Sequence, residues 1–154
     1  MKKVAGMTSD ALVELFAEIG TAQADAIDFF ETARFNRLYN RKIAVVNELR
    51  SRPGDQRERL FALYDHPNRQ VRLNAAQSTY ALNPVAARAV LEEIAASRRM
   101  PQAADARLSL DRIAEGTSAL LDDPWIPATR KERLELHRAR MAETAQSDPT
   151  QMSR

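Results

Sequence analysis

The chain has 154 residues, of which 44% are hydrophobic and 29% charged, a balance suited to one soluble domain with a single core. It contains no cysteine, which excludes disulfides, thiolate nucleophiles and every cysteine-bearing zinc site. The net charge is only +2 but unevenly laid out: residues 1–33 hold two lysines against six acids, and residues 34–72 hold ten cations against four acids.

Alanine, leucine, arginine and glutamate are plentiful beside only four glycines, which favours an all-α chain. The opening MKKVAGMTSD lacks an apolar run of signal-peptide length, and nothing approaches the ~18–20 apolar residues of a membrane span. The expectation is a cytoplasmic protein with no membrane partner and a disordered stretch over residues 1–7.

Thr8, Ser9 and Asp10 each offer a side-chain oxygen as N-cap for a first helix, predicted to run to about Glu31. Leu12, Phe16, Ile19, Ala26, Ile27 and Phe30 supply its apolar stripe, and Gly20-Thr21 reads as a soft spot where it bends or breaks. A second helix is predicted over Arg34 to Ser51, with Phe35, Leu38, Tyr39, Val45, Val46 and Leu49 in one sector. Lys42 falls near the middle of that sector, where its stem can snorkel or its ammonium can pair with an acid of the first helix. Pro53-Gly54 ends the segment, and Asp55 can cap a short helix holding Leu60, Leu63 and Tyr64.

The turn His66-Pro67-Asn68 opens the most informative helix. Val71, Ala75, Ser78 and Leu82 lie on one side of it, and Leu73, Ala76 and Tyr80 lie nearly opposite. A helix apolar on two faces is predicted to be sandwiched between neighbours. Pro84 starts another helix, with Ala87, Val90, Leu91 and Ile94 as its stripe. Pro101 opens the next, lined by Ala103, Ala106, Leu110 and Ile113, and Gly116 stops it. Residues 118–145 then form a proline-punctuated linker, DDPWIPATR, and a charged helix whose thin stripe is Leu134, His137 and Met141. Residues 146–154 are expected to be disordered.

The segments 55–82 and 84–116 read as two degenerate helical hairpins of about thirty residues, within the range of solenoid repeats. The run HPNRQVRLNAA resembles the second-helix signature of HEAT-like repeats. With NRLYNRK, NELRSR and ALNPVAARAVLEEIA, the chain resembles a small bacterial HEAT-like family of unknown function over about residues 10–116. That resemblance implies a HEAT-like α-solenoid, a curved stack of antiparallel helical hairpins over residues 8–117. It also implies that Arg72 is the repeat arginine that bridges to a neighbouring hairpin. Ala75 and Ala76 let adjacent helices approach closely.

Motifs for catalysis are missing. His66 and His137 lie far apart and form no E-x-x-H or H-x-x-x-H pair, so no metal or cofactor is expected. His66 is expected to bond the backbone of the helix that follows it. No serine stands in a G-x-S-x-G elbow, and no glycine-rich phosphate loop occurs. Glu92-Glu93 reads as solvated surface and Asp122-Asp123 as turn chemistry before Pro124.

The expected function is therefore non-catalytic: a protein-interaction module, an adaptor or an inhibitor or immunity-type protein, offering a charged, shallowly concave surface to a protein partner. Arg34, Arg37, Arg41, Arg69 and Trp125 are the candidate partner-binding residues. The alternative is a nucleic-acid-associated protein that uses the basic 34–72 region on phosphates. Trp125 and Ile126 are expected to dock back on the open end of the stack as a cap, with engagement of a partner as the alternative.

Overall fold

A computed structural model describes residues 3–147. Among these the regular elements are helical: α1 (Ser9–Asp28), α2 (Thr32–Ser51), a 3-10 helix (Gln56–Asp65), α3 (Arg69–Thr79), α4 (Pro84–Ala96), α5 (Gln102–Glu115), α6 (Ala119–Asp122) and α7 (Arg130–Gln146). Helix α1 packs against α2, the 3-10 helix against α3, and α4 against α5, so three helical hairpins follow one another with α3 in the middle. The expected disorder over residues 1–7 gives way at residues 4–7. There a 3-10 turn, Val4–Gly6, is held by Arg52, whose guanidinium donates to the carbonyls of Val4 and Met7 at 3.3 and 2.6 Å. The tail expected over residues 146–154 falls largely outside the described residues.

Helix starts follow local capping chemistry. Thr8 Oγ1 accepts from the Ala11 amide at 3.1 Å, and Asn68 Oδ1 accepts from the Gln70 and Val71 amides at 2.9 and 3.3 Å, each satisfying otherwise orphaned donors. His66 Nδ1 accepts from the amide of that same Asn68 at 3.0 Å, so its bond falls on the capping residue, one step short of the helix. Asp55 caps the 3-10 helix through the Arg57 amide. Gly116 ends α5 at φ +74°, a left-handed conformation that glycine adopts without a Cβ clash.

The two apolar sides of α3 each build a core. Val71 and Ala75 join Leu12, Phe16, Ile19, Val45, Leu49, Leu60 and Leu63 in the first. Leu73, Ala76 and Tyr80 join Ala87, Leu91, Ile94, Ala95 and Ala106 in the second. Phe16, Val71, Ala75, Ala76 and Leu91 are fully enclosed. Enclosing each of the larger side chains contributes roughly 1.5–3 kcal/mol. Tyr64 packs against both cores and bonds the Thr79 hydroxyl.

Three expectations are corrected here. Helix α1 runs unbroken through Gly20, which is buried against α3: a Cβ there would stand 2.7 Å from Val71 Cγ2 and 3.1 Å from Val71 Cα. Glycine serves close helix approach at this position, and the helix does not break. The helix ends at Asp28 instead of Glu31, and Phe30, with φ +56°, leaves the stripe and is 92% exposed. Arg72 reaches back to the carbonyls of His66 and Pro67 at 2.7 and 3.2 Å, so it ties down its own turn instead of bridging to a neighbouring hairpin.

A chain of buried amides crosses the layers. Gln102 Nε2 donates to Gln70 Oε1 (3.1 Å), Gln70 Nε2 to Asn74 Oδ1 (3.0 Å), and Asn74 Nδ2 to Gln23 Oε1 (2.7 Å). This links α5, α3 and α1, and only Gln23 Nε2 at its end lacks a partner. Satisfied in this way, the amides fix one register between helices that apolar contacts alone would let slide.

Candidate partner-binding surface

Arg34, Arg37 and Arg41 sit at intervals of three and four along α2, so they share one side of that helix. With Leu38 of the same helix they line a groove of about 600 Å³ between α1 and α2. Its floor is apolar, formed by Met7, Leu15, Ile19 and Ala22, and Glu18 stands on the α1 side. Arg34 reaches Glu31 at 3.4 Å across exposed surface, a contact worth little. The result is an apolar trough edged by cations.

Arg69 does not belong to this groove. It stands at the start of α3, where partial burial and the nearby Arg99 and Arg72 guanidiniums lower its pKa below the ordinary range. Further arginines of the basic region bond within the molecule as well. Arg50 donates to the Asp123 and Pro124 carbonyls, Arg52 to Glu48, Ser9 and two N-terminal carbonyls, and Arg59 to Asp10 and Gln56.

Arg57 is the most enclosed of them. It makes paired contacts with Asp123 at 2.9 and 3.0 Å and with Asp55 at 2.9 and 2.7 Å. These bonds raise the Arg57 pKa further above its already high value, with Asp55 the largest contributor, and the same guanidinium lowers the Asp55 carboxyl. Bidentate pairing of this kind fixes position as well as charge.

That pairing locates the C-terminal segment. Residues 117–127 run from the end of α5 back across the molecule to α2 as a strap. Ser118 caps α6 through the Leu120 amide, and Leu120 covers the second core beside Leu110 and Ile113. Asp123 then meets Arg57, and Asn47 Nδ2 donates to the Ile126 carbonyl at 2.8 Å. Trp125 lies over the Arg50 guanidinium, 5.9 Å from its centre, and remains 49% exposed. The cap expected from Trp125 and Ile126 at the open end is thus supplied by Leu120, and the tryptophan crosses α2. The following helix α7 has no buried residue: Leu134 and Met141 of its expected stripe are exposed, and His137, also exposed, borders a shallow cleft with Trp125 and Ile126.

Lys42 also departs from expectation. It is 7% exposed and makes no ion pair with an acid of α1. Its ammonium stands 4.7 Å from the centre of the Tyr39 ring, in a cavity roofed by the strap. Burial pushes its pKa down to about 8, with Asp105 of α5 acting in the opposite direction. Among the described residues no carboxylate lies within ion-pair distance of it. The Arg57–Asp123 pair and this cavity were beyond sequence reasoning: Asp123 carried only a turn signal, and its partner lies in another hairpin. No helix among the described residues is long and apolar enough to cross a membrane, and no group of three or more His, Asp or Glu side chains there is arranged to hold a metal.

Among solved structures, the chain is similar to the protein RPA1889 from Rhodopseudomonas palustris CGA009, whose crystal structure aligns with a TM-score of 0.74 at 43% identity. The alignment covers 77% of this chain and 98% of that one. No curated protein matches. The family profile described as Domain of unknown function (DUF2019) matches residues 10–114, which leaves the strap and α7 outside it. Because that match spans well over half of the chain and coincides with the three-hairpin body, the protein belongs to the DUF2019 family.

Proposed function

We propose that this protein is a non-catalytic protein-interaction module that takes an acidic, amphipathic segment of a partner into the groove between α1 and α2. The observation that carries the reading is the placement of Arg34, Arg37 and Arg41 along an apolar floor. Apolar side chains of a partner would fill the trough, and carboxylates beside them would meet the guanidiniums in bidentate fashion. Charge would set encounter rate and orientation, and burial of the apolar anchors would set lifetime. An adaptor and an inhibitor or immunity-type protein would both use such a surface.

Nucleic-acid binding by the 34–72 region is the weaker reading. Phosphate recognition gains from protein cations that neutralise phosphates and so release the counterions condensed on the nucleic acid. Arg50, Arg52, Arg57 and Arg59 are instead bonded to the protein's own carbonyls, carboxylates and side chains.

The test compares wild type with the Arg37→Glu, Arg41→Glu double variant in cross-linked affinity purification from the source cell. An acidic segment of the recovered protein is then titrated against both. The proposal expects a loss of affinity of at least about tenfold, or 1.4 kcal/mol, in the variant. Equal binding to both proteins overturns it, as does the recovery of no stoichiometric partner. Mixed-sequence DNA or RNA binding that falls steeply with salt would transfer the function to the alternative.

A further inference from the structure

The strap borders a second site, unrelated to the arginine-edged groove. A cavity of about 190 Å³ lies between α2, the end of α3 and the strap. Ile43, Val46, Ala81, Leu120, Pro124 and Ile126 give it apolar walls, and the polar groups at its boundary include Lys42, Tyr39, Gln77 and Ser78. A space on the order of 150 Å³ is enough to hold a benzene-sized molecule.

The charges around it leave one position unfilled. Lys42, Arg50 and Arg57 all line the cavity. The two arginines are answered by Asp123 and Asp55. Lys42, more than nine-tenths buried, sets its ammonium against the face of the Tyr39 ring and makes no ion pair among the described residues. Asp105 acts on it from an exposed position where it already accepts a hydrogen bond from Gln77 at 3.0 Å. A buried cation without an anionic partner is costly unless something compensates it.

We infer that the cavity beneath the strap is a binding site for a small organic monocarboxylate, whose carboxylate pairs with the Lys42 ammonium and whose apolar body fills the space between Ile43, Val46, Leu120 and Ile126. One ammonium without an ion-pair partner matches one negative charge, and the apolar residues beside it match an organic body. The strap supplies the roof, so occupancy would tighten residues 119–126 against α2.

The experiment uses the full chain, with hexanoate and benzoate as probes and hexanol and benzamide as their neutral counterparts. Binding is read by calorimetric titration and by the NMR signal of the Lys42 ε-methylene group. Saturable one-to-one carboxylate binding is expected, about tenfold or more tighter than the neutral counterpart, with a shift of the Lys42 signal. Lys42→Met should abolish that preference while the neutral molecules still bind, since the cavity remains. The proposal is overturned if neither carboxylate saturates up to tens of millimolar, if the Lys42 signal does not move on binding, or if Lys42→Met binds carboxylates as wild type does.

Discussion

Replacing Gly20 with alanine distinguishes two accounts of this glycine by the sign of a stability change. Were it only a soft spot in a helix, alanine would stabilise α1 by about 1 kcal/mol through helix propensity. Its surroundings dictate the opposite. The added methyl would stand 2.7 Å from Val71 Cγ2, where ordinary contact begins at 3.4 Å, and 3.1 Å from Val71 Cα. A valine in a helix has essentially one χ1 well, so its methyl cannot rotate away, and the contact with Cα involves backbone. Relief would require α3 to shift, and α3 carries residues of both cores. Overpacking of this kind costs roughly 1–3 kcal/mol, here at the upper end because two cores move together. After subtracting the propensity gain, Gly20→Ala should destabilise by about 1–2 kcal/mol. Urea unfolding followed by far-UV circular dichroism would show a midpoint lowered by about 0.5–1 M at an ordinary slope. Val71→Ala in the same chain should relieve part of the penalty, giving a coupling of about 1 kcal/mol in a double-mutant cycle. A neutral or stabilised Gly20→Ala variant would refute the close-approach account.

Lys42 ordinarily titrates at 10.5 but is pushed to about 8 when folded, so between these values the unfolded chain binds the extra proton and stability rises with pH. Below pH 8 the full penalty, about 3 kcal/mol, stands against folding. Lys42→Met should therefore exceed wild type in stability at pH 7 and lose that advantage as pH rises toward 10; parallel urea midpoints between pH 7 and 9.5 would contradict this. Arg57→Ala removes the partner shared by Asp55 and Asp123, leaving Asp123 only its contact with Arg50, and it should cost about 1–3 kcal/mol and expose Trp125 further to a soluble fluorescence quencher. Unchanged quenching would mean that the strap is held by other contacts. Gln70→Leu strands Asn74 Oδ1 and Gln102 Nε2 inside the protein and should cost about 2–4 kcal/mol, with faster amide exchange in α3 as its signature.

The helical class, the order of the helices and the central position of α3 were legible in the chain itself. Apolar spacing records which faces of a helix must leave water, and caps such as Thr8, Asn68 and Gly116 record where helices begin and end. Both signals are local, so they survive without knowledge of neighbours. The arginine-edged groove was half legible, because Arg34, Arg37 and Arg41 share a side of α2 by periodicity alone, while Arg69 could be separated from them only in space. What only the tertiary structure decided depends on distances between residues remote in sequence. Gly20 gains its meaning from Val71, Arg57 from Asp123, and Lys42 from a cavity that exists only once the strap has crossed α2. A one-dimensional pattern says that a surface is apolar or charged, but the approach of two helices and the pairing of two distant charges are set by packing, and packing is a property of the folded whole.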